Sequence, residues 1–137
     1  MRRISHPQIL RAVHQFHASV EKGDGVTNGM LFTQRLLREL GLTSEIFAVN
    51  IPKDLQHKIR SYREYSTSVC ADDELLLVHH SMGHNAHGWI SSVARRKILV
   101  YHNITPPHYL SSENLRHYAR LGRKQLALWG AQLSLRH

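Results

Sequence analysis

A chain of 137 residues and 15.8 kDa has room for one compact domain, which excludes two full domains. Hydrophobic residues make up 42% and charged residues 20%, values typical of a folded globular protein rather than a disordered one. Eighteen Lys and Arg against ten Asp and Glu give a net charge of +8 with histidine neutral, which favours anionic partners. No nucleic-acid reader motif accompanies this charge, so we expect no specific nucleic-acid partner.

Cysteine content and the N-terminal segment bear on the compartment. Cys70 is the single cysteine, so no intramolecular disulfide forms, and we expect a reducing, cytoplasmic setting. Segment 1–20 is basic but lacks the apolar core of a signal peptide, and no apolar run approaches the length of a membrane span. We therefore expect neither export nor a membrane span.

The hydrophobic pattern predicts strands that alternate with helices along the chain. Short apolar runs indicate strands, and apolar residues at three- and four-residue steps indicate amphipathic helices. The predicted strands are 9–16, 44–49, 74–80 and 97–102, and the predicted helices are 26–40, 55–63, 86–93 and 112–135. The nearly continuous apolar character of the last two strands is typical of strands covered on both faces.

This alternation predicts an α/β fold: a three-layer, Rossmann-like open parallel sheet of about four strands, with helices on both faces and right-handed crossovers. Ligands bind such sheets at the carboxyl ends of the strands, where the strand order reverses. With the usual order 3-2-1-4, the crevice lies between strands 1 and 4, beside loops 17–25 and 102–107. A sheet that stops at strand 4 has an exposed apolar edge, a candidate surface for self-association.

Histidines stand near the carboxyl ends of three predicted strands. They are His14 and His17 on strand 1, His79 and His80 before Ser81 on strand 3, and His102 before Asn103 on strand 4. Because these ends meet at one edge of a parallel sheet, we expect the imidazoles to converge there. The simpler interpretation of each is a loop side chain bonded to a nearby carbonyl.

A metal site is a second interpretation of the imidazoles at His79, His80, His84 and His87. The segment contains no cysteine or carboxylate ligand, and it has no H-E-x-x-H motif. We therefore expect no bound metal and no cofactor.

Gly23-Asp24-Gly25 directly precedes the first predicted helix. Free N–H groups and the positive helix end make such a loop a candidate anion site, which a phosphate approaches closely because glycine has no side chain. The alternative is that Asp24 caps the helix while the glycines form the turn. The spacing departs from G-x-G-x-x-G, and strand 2 is followed by Asn50 rather than an acid, so a nicotinamide dehydrogenase is disfavoured.

Segments along most of the chain resemble, in order, the start of family 4 (group 1) glycosyltransferases. They are 14–17 (His-Gln-Phe-His), Gly23-Asp24-Gly25 with Asn28, 35–40 with 44–47, 79–83 (His-His-Ser-x-Gly), 101–107 (Tyr-His-Asn-Ile-Thr-Pro-Pro) and 121–126 (Leu-Gly-Arg-x-Gln-Leu). The Tyr-His-Asn-Ile-Thr-Pro-Pro and Leu-Gly-Arg segments are the specific ones. The glycine loop alone is not specific.

The resemblance implies the GT-B architecture, in which two Rossmann-like domains face a cleft and sugar passes from a nucleotide-sugar donor to a hydroxyl acceptor with retention of configuration. It assigns His102 to the acceptor and transferred sugar as the candidate catalytic residue, and Gly23 and Gly25 to the donor diphosphate. The remaining candidate substrate-binding residues are Asp24, Asn28, His17, His80 and Asn103. The family needs no obligatory metal; cationic side chains and helix ends stabilise the leaving diphosphate.

The chain departs from that family pattern at its end, where residues 130–137 do not resemble the next family strand. We expect one Rossmann-like domain, 1–137, corresponding to a truncated glycosyltransferase N-terminal domain without the donor-binding C-terminal domain. Such a chain is expected to be inactive alone, unless a second chain supplies the donor domain. The alternative function is a non-catalytic basic anion-binding module that binds nucleic acid or an acidic membrane surface. In the second case we expect peripheral membrane contact.

Overall fold

The computed structural model describes residues 9–65, 72–93, 96–102 and 106–134. Its strands are β1 (Ala12–Ser19), β2 (Ile46–Asn50), β3 (Arg60–Ser61), β4 (Glu74–His80) and β5 (Arg96–Tyr101), and its helices are α1 (Gly25–Glu39), α2 (His87–Ser92) and α3 (Glu113–Ser134). The sequence predictions for Cys70 and Asn103 lie outside the described residues. Apart from segment 55–63, the elements predicted from hydrophobic pattern are present in the predicted order.

All five described strands form one parallel sheet in the order β3-β2-β1-β4-β5. The predicted α/β fold with an open, Rossmann-like parallel sheet is therefore confirmed, with five strands rather than four. The short helix predicted for 55–63 is wrong, because that segment contains β3 between two single-turn 3₁₀ helices. A two-residue strand is too short to have a detectable alternation of apolar residues.

The missed strand changes which segment borders β1. The neighbour of β1 is β4, with Phe16 beside Val78, whereas the predicted fourth strand, now β5, lies outside β4. Helix α1 packs on one face of the sheet and α2 on the other, so the chain leaves β1 and β4 toward opposite faces. The crevice therefore lies between β1 and β4, and the predicted crevice between β1 and 97–102 is wrong.

Two apolar clusters, one on each face, hold the sheet between its helices. Alternation along β2 separates them: Phe47 belongs to the cluster under α2 and α3, and its neighbours Ile46 and Ala48 to the cluster under α1. At the open edge of the sheet, Ile98 of β5 is 49% exposed. This agrees with the predicted apolar edge on the fourth predicted strand.

The loop after β4 is fastened to α3 by backbone contact at a glycine. The N–H of Gly83 donates to the carbonyl of Tyr118 at 2.9 Å. A Cβ placed on Gly83 would lie 2.6 Å from the backbone N of Gly122 and 2.6 Å from Cβ of Leu121. Position 83 therefore has no room for a side chain while the loop lies against α3.

We predict that Gly83→Ala lowers the free energy of unfolding by about 1–3 kcal/mol, because the loop or α3 must shift to admit the methyl group. The matched control is Gly88→Ala in α2, where an added Cβ meets nothing within 4 Å. That control is expected to be neutral or to stabilise by up to about 1 kcal/mol, since alanine favours helix. Urea unfolding measures both, and equal stability of the two variants contradicts the contact.

Candidate functional site

A chain of three buried or half-buried polar side chains runs from α1 to the carboxyl edge of the sheet. Nε2 of Gln15 lies 2.9 Å from the carbonyl oxygen of Met30, and Oε1 of Gln15 lies 2.9 Å from Nε2 of His79. Nδ1 of His79 lies 2.9 Å from Nε2 of His102. We call Gln15, His79 and His102 the edge relay.

Donor and acceptor roles in the edge relay follow from its fixed end. The carbonyl of Met30 only accepts, so the amide NH₂ of Gln15 donates to it and Oε1 of Gln15 faces His79 as an acceptor. Nε2–H of His79 therefore donates to Gln15, which leaves Nδ1 of neutral His79 as an acceptor. His102 must then donate from Nε2–H, so Nδ1 of neutral His102 has a lone pair.

His79 is neutral at physiological pH, as this assignment requires. Burial, aided by the nearby imidazoles of His102 and His17, lowers the pKa of His79 to about 4. Its side chain is buried in β4, so a proton on both nitrogens would cost desolvation. Within the described residues, Nδ1 of His102 has no hydrogen-bond partner.

His17 links the end of β1 to the loop after β4 at the crevice between these strands. Its Nδ1–H donates to the carbonyl of Ser19 at 2.5 Å, so its Nε2 accepts from the hydroxyl of Ser81 at 2.7 Å. Burial lowers the pKa of His17, although the Ser19 carbonyl and the charge of Asp24 oppose that shift. The structure thus joins His17 to the loop after β4, which borders the true switch point.

His80 lies on the other side of the sheet and does not line this edge. Its side chain is fully buried, its Nε2–H donates to the carbonyl of Gly122 at 2.8 Å, and its ring packs edge-on against Trp129 at 4.7 Å. Neighbouring residues of a strand point to opposite faces, so His79 and His80 cannot serve one site. The prediction of His80 as a substrate-binding residue is therefore corrected: it fastens α3.

His84 continues this fastening of the loop to α3. Its backbone N–H donates to Oε1 of Gln125 at 3.3 Å, and Nε2 of Gln125 donates back to its carbonyl at 2.8 Å. Burial, together with the neighbouring imidazoles, lowers the pKa of His84 to about 4. Because Nδ1 accepts from the N–H of Ala86 at 3.1 Å, the proton of neutral His84 is on Nε2, a buried atom without a partner among the described residues.

The glycine loop has the geometry of a cap rather than an empty anion site. The carboxylate of Asp24 accepts from the N–H of Thr27 at 3.0 Å and from its hydroxyl at 3.1 Å. Gly23 has φ of +85°, a conformation that glycine adopts without strain. A carboxylate of the protein therefore holds the position at the end of α1 where a phosphate was predicted, and the alternative capping interpretation is favoured.

A cavity of about 790 Å³, the rim cavity, opens at the carboxyl ends of β1, β2 and β4. Its polar lining includes His17, Asp24, Asn50, Ser81 and Tyr118. Among the described residues, the lining does not include Gly23, Gly25 or His102, although all three also lie at the carboxyl edge. The structure thus brings His17 and Asp24 to one cavity and places His102 beside it in the edge relay.

Asn28 lies away from the rim cavity. It lines a second cavity, along the side of α1 that faces β2 and β3. Its backbone N–H donates to the carbonyl of Asp24 one turn earlier at 2.9 Å, and it is not among the residues that line the rim cavity. The structure thus does not bring Asn28 to the cavity that His17 and Asp24 line.

Sequence reasoning missed Gln15 and Tyr118 as parts of the edge. A signal for Gln15 was present: a glutamine in the middle of an apolar strand is buried at a cost unless it is hydrogen-bonded. No comparable signal exists for Tyr118, because its approach to the edge depends on how α3 crosses the sheet.

The described residues contain no three His, Cys, Asp or Glu side chains placed to bind a metal ion. No helix in the described ranges is long and apolar enough to cross a membrane. Comparison with known proteins gives no match: no family model, curated protein or solved structure is similar enough to assign this chain to a family.

We predict that acid destabilises the fold through His79 and His84. Their pKa values of about 4 lie below the ordinary 6.5, so the unfolded chain takes up protons first as the pH falls. The stability is complete above about pH 6.5 and is lost progressively toward pH 4, by up to about 3 kcal/mol for each group.

Urea unfolding at pH 7.5 and at pH 4.5 measures this loss. The variant His79→Gln removes one of the two titrations and reduces the pH dependence. The control His57→Gln replaces an exposed histidine and leaves the dependence unchanged. A free energy of unfolding that is equal at the two pH values contradicts the buried, neutral imidazoles.

Proposed function

We propose that the carboxyl edge of this sheet binds the hydroxyl acceptor of a glycosyl transfer reaction, with His102 as the residue that contacts the acceptor hydroxyl. The observation that carries the proposal is the 2.9 Å hydrogen bond between His79 and His102, with Gln15 behind it. It leaves a lone pair on Nδ1 of His102. A sugar hydroxyl donates to such a lone pair, as in general-base contacts between histidine and a reacting hydroxyl.

The charge state of the edge supports a hydroxyl-bearing ligand over a phosphate. Burial lowers the pKa of His17 and His79, so both imidazoles are uncharged at neutral pH. The carboxylate of Asp24 adds a negative charge at the rim cavity. An uncharged sugar hydroxyl loses little solvation energy there and finds both hydrogen-bond donors and acceptors. An anion, in contrast, is repelled by the carboxylate of Asp24.

In the proposed reaction, the acceptor oxygen forms a bond to the anomeric carbon of the donor sugar on the face from which the diphosphate leaves, and the diphosphate takes the electron pair of the broken C–O bond. Nδ1 of His102 accepts the proton that the acceptor hydroxyl loses. The donor and its diphosphate belong to a second domain or a second chain under this proposal. The lone cysteine supports a cytoplasmic location.

A binding experiment tests the acceptor site. The full chain is titrated with methyl glycosides of glucose, mannose, galactose and N-acetylglucosamine, and binding is followed by ligand-observed NMR. At least one glycoside is expected to bind, and His102→Ala is expected to weaken it about tenfold through the loss of one hydrogen bond at a half-buried group.

The control for this experiment is His57→Ala, which removes an exposed imidazole that lines the other cavity. Its glycoside affinity is expected to equal that of the parent chain. The proposal fails if no glycoside binds or if the two variants behave alike. Transfer of sugar from UDP-glucose or GDP-mannose by the 137-residue chain alone contradicts the assignment of the donor to a second domain.

A further inference from the structure

A second cavity of about 820 Å³ lies along the side of α1, outside the carboxyl edge. We call it the lateral cleft. One wall is the exposed side of α1, and the other is formed by the segment that leads into β3. Its volume falls in the range of small-molecule sites.

Cationic side chains dominate the lateral cleft. Arg35 and Arg38 of α1 stand opposite Lys58, and Glu45 is the one carboxylate among the described lining residues. Arg60 also borders the cleft, but it pairs with Phe47 of β2, so its guanidinium lies on the other face of the sheet. Arg35, Arg38, Lys58 and Glu45 give a formal net charge of +2. No other cavity described above holds such an excess of one sign, since the rim cavity contains carboxylates and uncharged imidazoles.

Two of these cations have protein partners and two do not. A guanidinium nitrogen of Arg38 lies 3.5 Å from Glu45, and Nε of Arg60 lies 3.5 Å from Glu64. Within the described ranges, Arg35 and Lys58 make no ion pair. Their charges face the solvent of the cleft and are available to a ligand.

The Arg35 guanidinium is also held by a ring. Its central carbon lies 5.5 Å from the centroid of Phe32. Stacking of this kind holds the planar fork of arginine, which lowers the entropy lost when it binds an oxyanion. Arg35 and Arg38 are three residues apart on the helix, about 4.5 Å along its axis, so one ligand can reach both.

We propose that the lateral cleft binds a diphosphate. Phosphate groups present several oxygens to guanidinium forks, and the two cations without an ion pair among the described residues, Arg35 and Lys58, stand on opposite walls of the cleft. Two linked phosphates can place one group at each of these cations, and they supply about three negative charges to a cleft of net positive charge. Leu31 and Phe32 add an apolar patch to the lining, on which the organic part of a diphosphate ester can lie.

Isothermal titration calorimetry of the full chain with inorganic pyrophosphate and with ADP tests this assignment. Both probes are expected to bind at low salt and to weaken as salt rises, because charge attraction is screened. Tighter binding of ADP identifies an organic diphosphate, and equal binding identifies the diphosphate group alone as the recognised part. Either result supports the proposal.

Matched variants locate the site. Arg35→Gln and Lys58→Gln are each expected to weaken pyrophosphate about tenfold, since each removes a charged hydrogen bond. Lys124→Gln removes the same charge from an exposed position on α3 and is expected to change the affinity by less than about twofold. Because the replaced side chains are exposed, unfolding midpoints equal to that of the parent verify that each variant is folded.

Three outcomes overturn the proposal. They are absence of pyrophosphate and ADP binding, equal weakening by Lys58→Gln and Lys124→Gln, and binding of a 20-nucleotide RNA without binding of pyrophosphate. The last outcome indicates a nucleic-acid surface instead. His102→Ala is expected to retain the pyrophosphate affinity, so this result is separate from the success or failure of the acceptor site.

Discussion

The buried amide of Gln15 connects helix α1 to the histidines at the carboxyl edge of the sheet. Its side chain is fully buried, so both polar ends need partners, and the carbonyl of Met30 takes the NH₂ end. The amide oxygen of Gln15 then accepts from Nε2–H of His79, so Nδ1 of His79 accepts from Nε2–H of His102. One backbone carbonyl in α1 therefore determines which nitrogen of an imidazole at the end of β5, two strands away from β1, has the lone pair.

The histidines divide into two groups because successive residues of a strand point to opposite faces. His79 joins Gln15 and His102 on the face of α1, whereas His80 joins Trp129 and the carbonyl of Gly122 on the face of α3. The first group lies at the carboxyl edge of the sheet beside the crevice, and the second fastens the loop that borders the crevice. Acid acts on both groups, since burial lowers the pKa of His79 and of His80.

Much of the fold was predictable from the sequence because long helices and strands contain enough residues to show a regular spacing of apolar side chains. Helix α1 and strand β4 were predicted to within one residue of their ends. Strand β3 was not predicted, because two residues have no period, and this error moved the predicted crevice by one strand. Alternation along β4 is a signal in the sequence itself that assigns His79 and His80 to opposite faces.

The candidate site was predicted less completely than the fold. His102 and His17 lie at the predicted edge, but the relay behind His102 depends on Gln15 and on a pairing between strands far apart in sequence. The lateral cleft depends on the same kind of long-range contact: Arg35 and Arg38 share one side of α1, yet nothing in the sequence places Lys58 opposite them. Composition predicts the net positive charge of the chain, but only the structure shows that part of this charge is concentrated in the lateral cleft.

The most direct measurement of the central claim is the tautomer of His102 in the folded chain. Long-range correlation of ring protons with ring nitrogens at pH 7.5 distinguishes a protonated from an unprotonated nitrogen. The account predicts a proton on Nε2 of His102 and a lone pair on Nδ1. A proton on Nδ1 instead, or an equal mixture of the two forms, contradicts the account, because the Gln15 amide would then not set the orientation of the edge.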